Sequence, residues 1–272
     1  MNKRYQNALS CFLGLALAAS TASAHRLWLL PSSHVLSGTD HWVTVDAAVS
    51  NDLFFPNHVA LSPESIQIIE PDGEFGTIEN AMKGHIRGTF DFHVSKEGTY
   101  RVLNQREGYF ARWTEDGEGK RMRGDLAELK EAGVFAKEGV AVMKSLSRLE
   151  TAVTVNNPTV DVFASTGEGI EFVPVTHPND LFANEAVTFG FLLNGEPAKG
   201  LEVEVVRGDD RYRDEPGLQT LVTDAEGQIE ISFDQPGRYW LDTSSSQDAG
   251  TLEGAPLSLR YGLTMTFEVL PE

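Results

Sequence analysis

Histidine is the residue type in this chain whose placement could do chemistry. Six of the seven histidines, His25, His34, His41, His58, His85 and His93, precede residue 94, and only His177 lies in the second half. Imidazole is the commonest protein ligand for zinc, copper and nickel, so such crowding makes a metal site possible. No pair shows the i, i+4 spacing of a helical metal motif. His85 and His93 share one face of an alternating run, but a straight strand would hold them roughly 26 Å apart.

His25 has a further property. The first 24 residues carry Lys3 and Arg4, an apolar run from Ala8 to Ala18 and the small-residue sequence Ala22-Ser23-Ala24, the three parts of a secretory signal peptide. Cleavage after Ala24 would make His25 the mature N-terminus. Its freed α-amine and ring nitrogen could then close a chelate ring on one ion, displacing a proton of reference pKa roughly 7.7–8. The competing reading is that His25 is only the first residue of an edge strand.

His58 follows Phe54-Phe-Pro-Asn57, and loops on a rigid scaffold often carry ligands. His177 precedes Pro178, which imposes an extended or turn conformation and tends to expose the ring. For each, the plainer alternative is a solvated loop histidine. Other chemistry has less support. The single cysteine, Cys11, lies in the leader, so thiolate ligands and nucleophiles are excluded from the mature chain. There is no nucleophile elbow, no His-Glu-x-x-His and no phosphate loop. The run Asp209-Asp-Arg-Tyr-Arg-Asp-Glu215 reads as a solvated, self-paired hairpin loop.

The formal charge of −18 becomes −20 once Lys3 and Arg4 leave, and such a surface repels nucleic acid and anionic membrane while attracting cations. No stretch after the leader approaches the ~18 apolar residues of a membrane helix, so no membrane insertion is expected.

The elements that must position these residues are strands. Trp42–Val49 and Ile86–Val94 alternate, and short strands are expected at 65–69, 100–103 and 109–113. Together they predict a first β-sandwich over 25–115. Asp125-Leu-Ala-Glu128 is a capping-box start for a short helix ending near Gly133, with a second helical turn possible over 134–150 before strand returns at Thr151. Residues 116–165 are therefore expected to bridge two domains. From 166 to 272 about seven strands fall in roughly 100 residues, the count of an immunoglobulin-like sandwich. The four tryptophans sit in strand patterns and are expected in the core. Two echoes link the halves: Gly98-Thr-Tyr100 with Gly237-Arg-Tyr239, each placed to lock a sandwich corner, and Asn51-Asp-Leu-Phe54 with Asn179-Asp-Leu-Phe182. The fold class is thus all-β, two immunoglobulin-like β-sandwich domains with a short helical insertion between them.

Three phrases, Ala24-His-Arg-Leu-Trp-Leu-Leu-Pro31, Asp46–Phe54 with His58, and Phe172-Val-Pro-Val-Thr-His-Pro-Asn-Asp-Leu-Phe182, give the chain a family likeness. It resembles exported bacterial proteins built around a domain of unknown function and often labelled as a periplasmic component of nickel or cobalt uptake. Gly195-Glu-Pro, Arg211-Tyr-Arg213, Thr223–Gly227 and Gly237–Trp240 extend the likeness into the C-terminal half. The resemblance implies a periplasmic protein that handles a divalent transition metal, nickel or cobalt, with copper and zinc as further options, and a metal transporter of the inner or outer membrane as partner. His25, His58 and His177 lie in the matching phrases and are the expected ligands. Two alternatives stay open: a copper mono-oxygenase-like enzyme with an N-terminal histidine brace, and a metal-free interaction module.

Overall fold

The computed structural model describes residues 25–272, so the leader reading falls outside the described residues. Three sheets make up the described residues. The first is ordered Arg26–Pro31, His41–Ser50, Gly88–Val94 and Glu79–Lys83, with Val59–Ala60 also on His41–Ser50. The third holds Ile170–Pro174, Ala186–Leu193 and Glu196–Pro197, with Gln228–Ser232. Between them lies a ten-stranded sheet that contains strands of both halves.

The join is made by Ala141–Val155. It pairs antiparallel with Gly98–Glu115 on one side and parallel with Ala255–Val269 on the other, from Val142 opposite Leu257 to Thr151 opposite Thr266. Side-chain alternation then divides its two faces. Leu149, Val153 and Val155 join Tyr100, Val102, Phe90 and Val43 in the core under the first sheet. Ala152, on the opposite face, joins Leu263, Met265, Phe267, Phe172 and Phe189 in the core under the third. Period-2 alternation is what lets one strand serve both sandwiches.

This corrects the expectation for 134–150 in part, because a 3-10 turn does form at Val134–Ala136 but the rest is not helical. The capping box of Asp125 and Glu128 does start a helix, Leu126–Glu131, and Gly133 ends it in the left-handed region at φ 65°. Strand resumes at Ala141, although Met143–Glu150 contains good helix formers. Two hydrogen-bonded neighbours and two buried faces outweigh that local preference. The bridge therefore contains a central strand of the whole molecule. All seven strands expected after residue 166 are present, but the last two run much longer, as Gly237–Leu252 and Ala255–Val269.

Two tryptophans depart from the core expectation. Trp28 and Trp240 are buried, whereas Trp42 is 54% exposed and Trp113 is only partly covered. Ile86 is also exposed, because the strand begins at Gly88.

The halves are further fixed by Trp28, Leu30 and Ala48, which pack on Val206 and Trp240. The indole of Trp240 donates to the Leu27 carbonyl at 2.9 Å. Both glycine-tyrosine phrases form the same corner. The Tyr100 hydroxyl donates to the Lys96 carbonyl at 3.2 Å, and the Tyr239 hydroxyl to the Gln235 carbonyl at 2.7 Å.

Candidate metal centre

His25 and His58 meet. Strand Arg26–Pro31 runs along one edge of His41–Ser50 and Val59–Ala60 along the other, so Arg26 faces Ser50 while Val59 faces Val49. The residues just outside these pairs, His25 and His58, therefore reach the same end of the central strand. Their rings stack face to face, with centroids 3.8 Å apart and planes 13° from parallel.

The loop that carries His58 is held at several points. Asn57 donates to the Asp52 carboxylate at 2.6 Å and accepts from the Asn51 N–H at 2.9 Å. The Ser50 hydroxyl takes the Trp28 indole N–H at 2.7 Å and donates to the Asp52 carbonyl at 2.6 Å. From the far half of the chain, Asp210 accepts from the Leu53 N–H at 2.9 Å and from Arg26 at 2.5 Å. That ion pair is largely buried, so the Arg26 charge next to His25 is neutralised. The run 209–215 is thus more than the solvated, self-paired loop expected of it: its second aspartate clamps the N-terminal strand and the His58 loop together. Nothing local in the sequence signals this contact, because the partners are 184 residues apart.

His177 does not join them. Its Nδ1 accepts from the Asn179 N–H at 3.1 Å, which leaves the proton on Nε2, 3.1 Å from both the Thr159 carbonyl and the Thr99 hydroxyl. Burial pushes its pKa down, and neither nitrogen keeps a free lone pair for an ion. Thr99 in turn touches Thr154, whose N–H donates to the His34 carbonyl. This places His177 at the Pro31 end of the first strand, roughly 17 Å of strand away from His25. The ligand expectation for His177 is corrected accordingly: it is a structural histidine between the sandwiches.

As placed, the two stacked rings direct their lone pairs into parallel planes. A shared ion requires one ring to turn about its Cβ–Cγ bond, and both rings are exposed and free to do so. Among the described residues no group of three His, Cys, Asp or Glu side chains is gathered for a metal. In a chain beginning at His25, the α-amine of that residue would offer a third nitrogen. Amine and imidazole nitrogens suit copper(II), nickel(II) and zinc(II), so the donor set fits.

Fold and site together define a two-sandwich β protein with a histidine pair at the outer end of its first strand. A family model described as "Domain of unknown function (DUF4198)" matches residues 22–247, and the chain belongs to that family. Among curated proteins none matches. The D0-D1 domain of intimin is 13% identical, with a TM-score of 0.23, over 89% of this chain and 97% of that one. A DUF4785 family protein from Legionella pneumophila is 9% identical, also at 0.23, over 79% of this chain and 50% of that one.

Proposed function

We propose that this is an exported, periplasmic protein that binds a divalent transition metal, nickel or cobalt in the uptake role its resemblance implies, through the mature N-terminus. His25 supplies its amine and ring, and His58 a second imidazole. The observation that carries the reading is the contact between the two rings, brought from opposite edges of one strand at 3.8 Å. The pair lies at the surface, where an ion could be taken up and passed to a transporter, and the acidic excess of the chain draws cations towards it. Binding, not catalysis, is the role we assign.

The test is isothermal titration of the mature protein, with His25 confirmed as its first residue by mass spectrometry, against Cu(II), Ni(II), Co(II) and Zn(II). Adding one residue ahead of His25 is expected to abolish tight binding, and His58→Ala to weaken it tenfold or more, while His177→Ala leaves affinity unchanged. Binding indifferent to both the added residue and His58→Ala would remove the reading.

A further inference from the structure

A cleft of about 500 Å³ opens where the Leu53–Phe55 loop meets the loop from Arg207 to Tyr212. Arg207, Arg211 and Arg238 line it. The arginines that form ion pairs within 4.0 Å among the described residues are Arg26, Arg87, Arg101 and Arg148, so none of the three cleft arginines has a carboxylate partner. Arg211 and Arg238 are exposed and Arg207 is half-buried, so all three guanidinium groups remain open to an anion entering the cleft. Asp209 and Glu268 also border the cleft, leaving an excess of one positive charge.

The walls are built for a fixed shape. Arg211 lies 4.1 Å over the ring of Phe55, which holds its guanidinium at the rim. Arg213 donates to the Arg207 carbonyl at 2.6 Å and tightens the second loop. Phe54 has φ 62°, a conformation rare for a bulky side chain and one that costs about 1–2 kcal/mol. It is kept there by the edge of Trp28 at 5.8 Å and by Gly208, whose missing Cβ would lie 2.7 Å from the Phe54 ring. Strain held in place by its surroundings at a cavity wall points to a function for that wall.

We propose that this cleft binds a small organic carboxylate, whose charge is met by Arg207, Arg211 and Arg238 and whose hydrocarbon part rests on Leu53 and Phe54. Guanidinium forks match carboxylate geometry, and the size falls within the range of small-molecule sites. The apolar wall favours an organic anion over phosphate. The site stands whether or not His25 and His58 hold a metal, although Leu53–His58 is a wall of one and an arm of the other.

The test is titration of the mature protein with benzoate, which chelates metals poorly, and separately with inorganic phosphate, both at fixed ionic strength. Benzoate is expected to bind, and Arg211→Gln and Arg238→Gln each to weaken it roughly tenfold. Arg211→Lys keeps part of the affinity, and Arg106→Gln, exposed elsewhere, keeps all of it. Gly208→Ala, which displaces Phe54 without changing charge, also lowers affinity. His58→Ala leaves benzoate binding intact, which separates this site from the metal reading. Thermal melts without ligand verify that each variant folds. No heat with benzoate, wild-type affinity in both glutamine variants, or binding of phosphate alone would each overturn the proposal.

Discussion

At the scale of single residues, two buried groups give the protein opposed responses to pH. Burial raises the Asp242 carboxyl to about 6, against a bond from the Thr264 hydroxyl that partly offsets it. A raised folded value means the stabilising, neutral form is present below the unfolded value of 3.8 and is lost as pH climbs through about 6. The cost at neutral pH is at most about 3 kcal/mol. His34 is the reverse case: burial lowers it to about 4, so its contribution is full above 6.5 and is lost as pH falls to 4. Between these limits the two trends oppose each other. Asp242→Asn, which keeps an oxygen to accept from Thr264, is expected to raise Tm by several degrees at pH 7.5. It also uncovers the histidine effect, so the variant loses Tm more steeply than wild type on acidification from pH 6.5 to 4. Scanning calorimetry across that range decides; a parallel pH profile would mean that Asp242 is ionised without penalty.

At the scale of elements, the segment after the central strand is fastened by buried charge. Arg101 donates through Nε to Glu150 at 2.9 Å and through Nη1 to the Val162 carbonyl at 3.1 Å. Arg148 donates to the carbonyls of Glu168 and Ile170, at 2.6 and 3.0 Å. These bonds hold the chain between the sandwiches against the ten-stranded sheet. Glu150 is fully buried, so removing its partner leaves a charge without solvent. Arg101→Met is expected to cost about 3–5 kcal/mol in urea unfolding, and adding Glu150→Gln to recover part of it. Equal destabilisation of the single and double variants would show that the stranded Glu150 charge is not the source of the loss. The two tyrosine corners make a smaller case. Tyr239→Phe removes one hydroxyl bond to a carbonyl, for roughly 1 kcal/mol by the same measurement, and Tyr100→Phe costs more because its hydroxyl also accepts the Lys96 N–H at 2.7 Å.

At the scale of the whole molecule, the sandwiches share a sheet. The parallel pairing of Ala141–Val155 with Ala255–Val269 holds for ten residues in unbroken register, and Trp240 and Val206 pack on the first half. Opening either sandwich alone would expose both contacts. A single calorimetric transition is therefore expected, with equal calorimetric and van't Hoff enthalpies. A fragment of residues 166–272 lacks the neighbour of Ala255–Val269 and presents a long bare strand edge, so it is expected to aggregate in gel filtration. Two resolved transitions, or a monomeric folded fragment, would argue for independent domains.

What the amino-acid sequence determined by itself is local. Alternation placed the seven strands after residue 166, the capping box at Asp125 started its helix, and the glycine-tyrosine phrases marked both corners, because each depends on a few adjacent residues and a 2- or 3.6-residue period. The crowding of histidines drew attention to His25 and His58 for the same reason. The tertiary structure decided the rest. It set the rings of His25 and His58 in contact, sent His177 to the joint between sandwiches, and made a presumed bridge into a central strand. It also brought Asp210 to Arg26 and opened an arginine-lined cleft between loops of the two halves. These outcomes depend on which strands become neighbours and which face each side chain takes, and both are settled by burial across long separations in the chain.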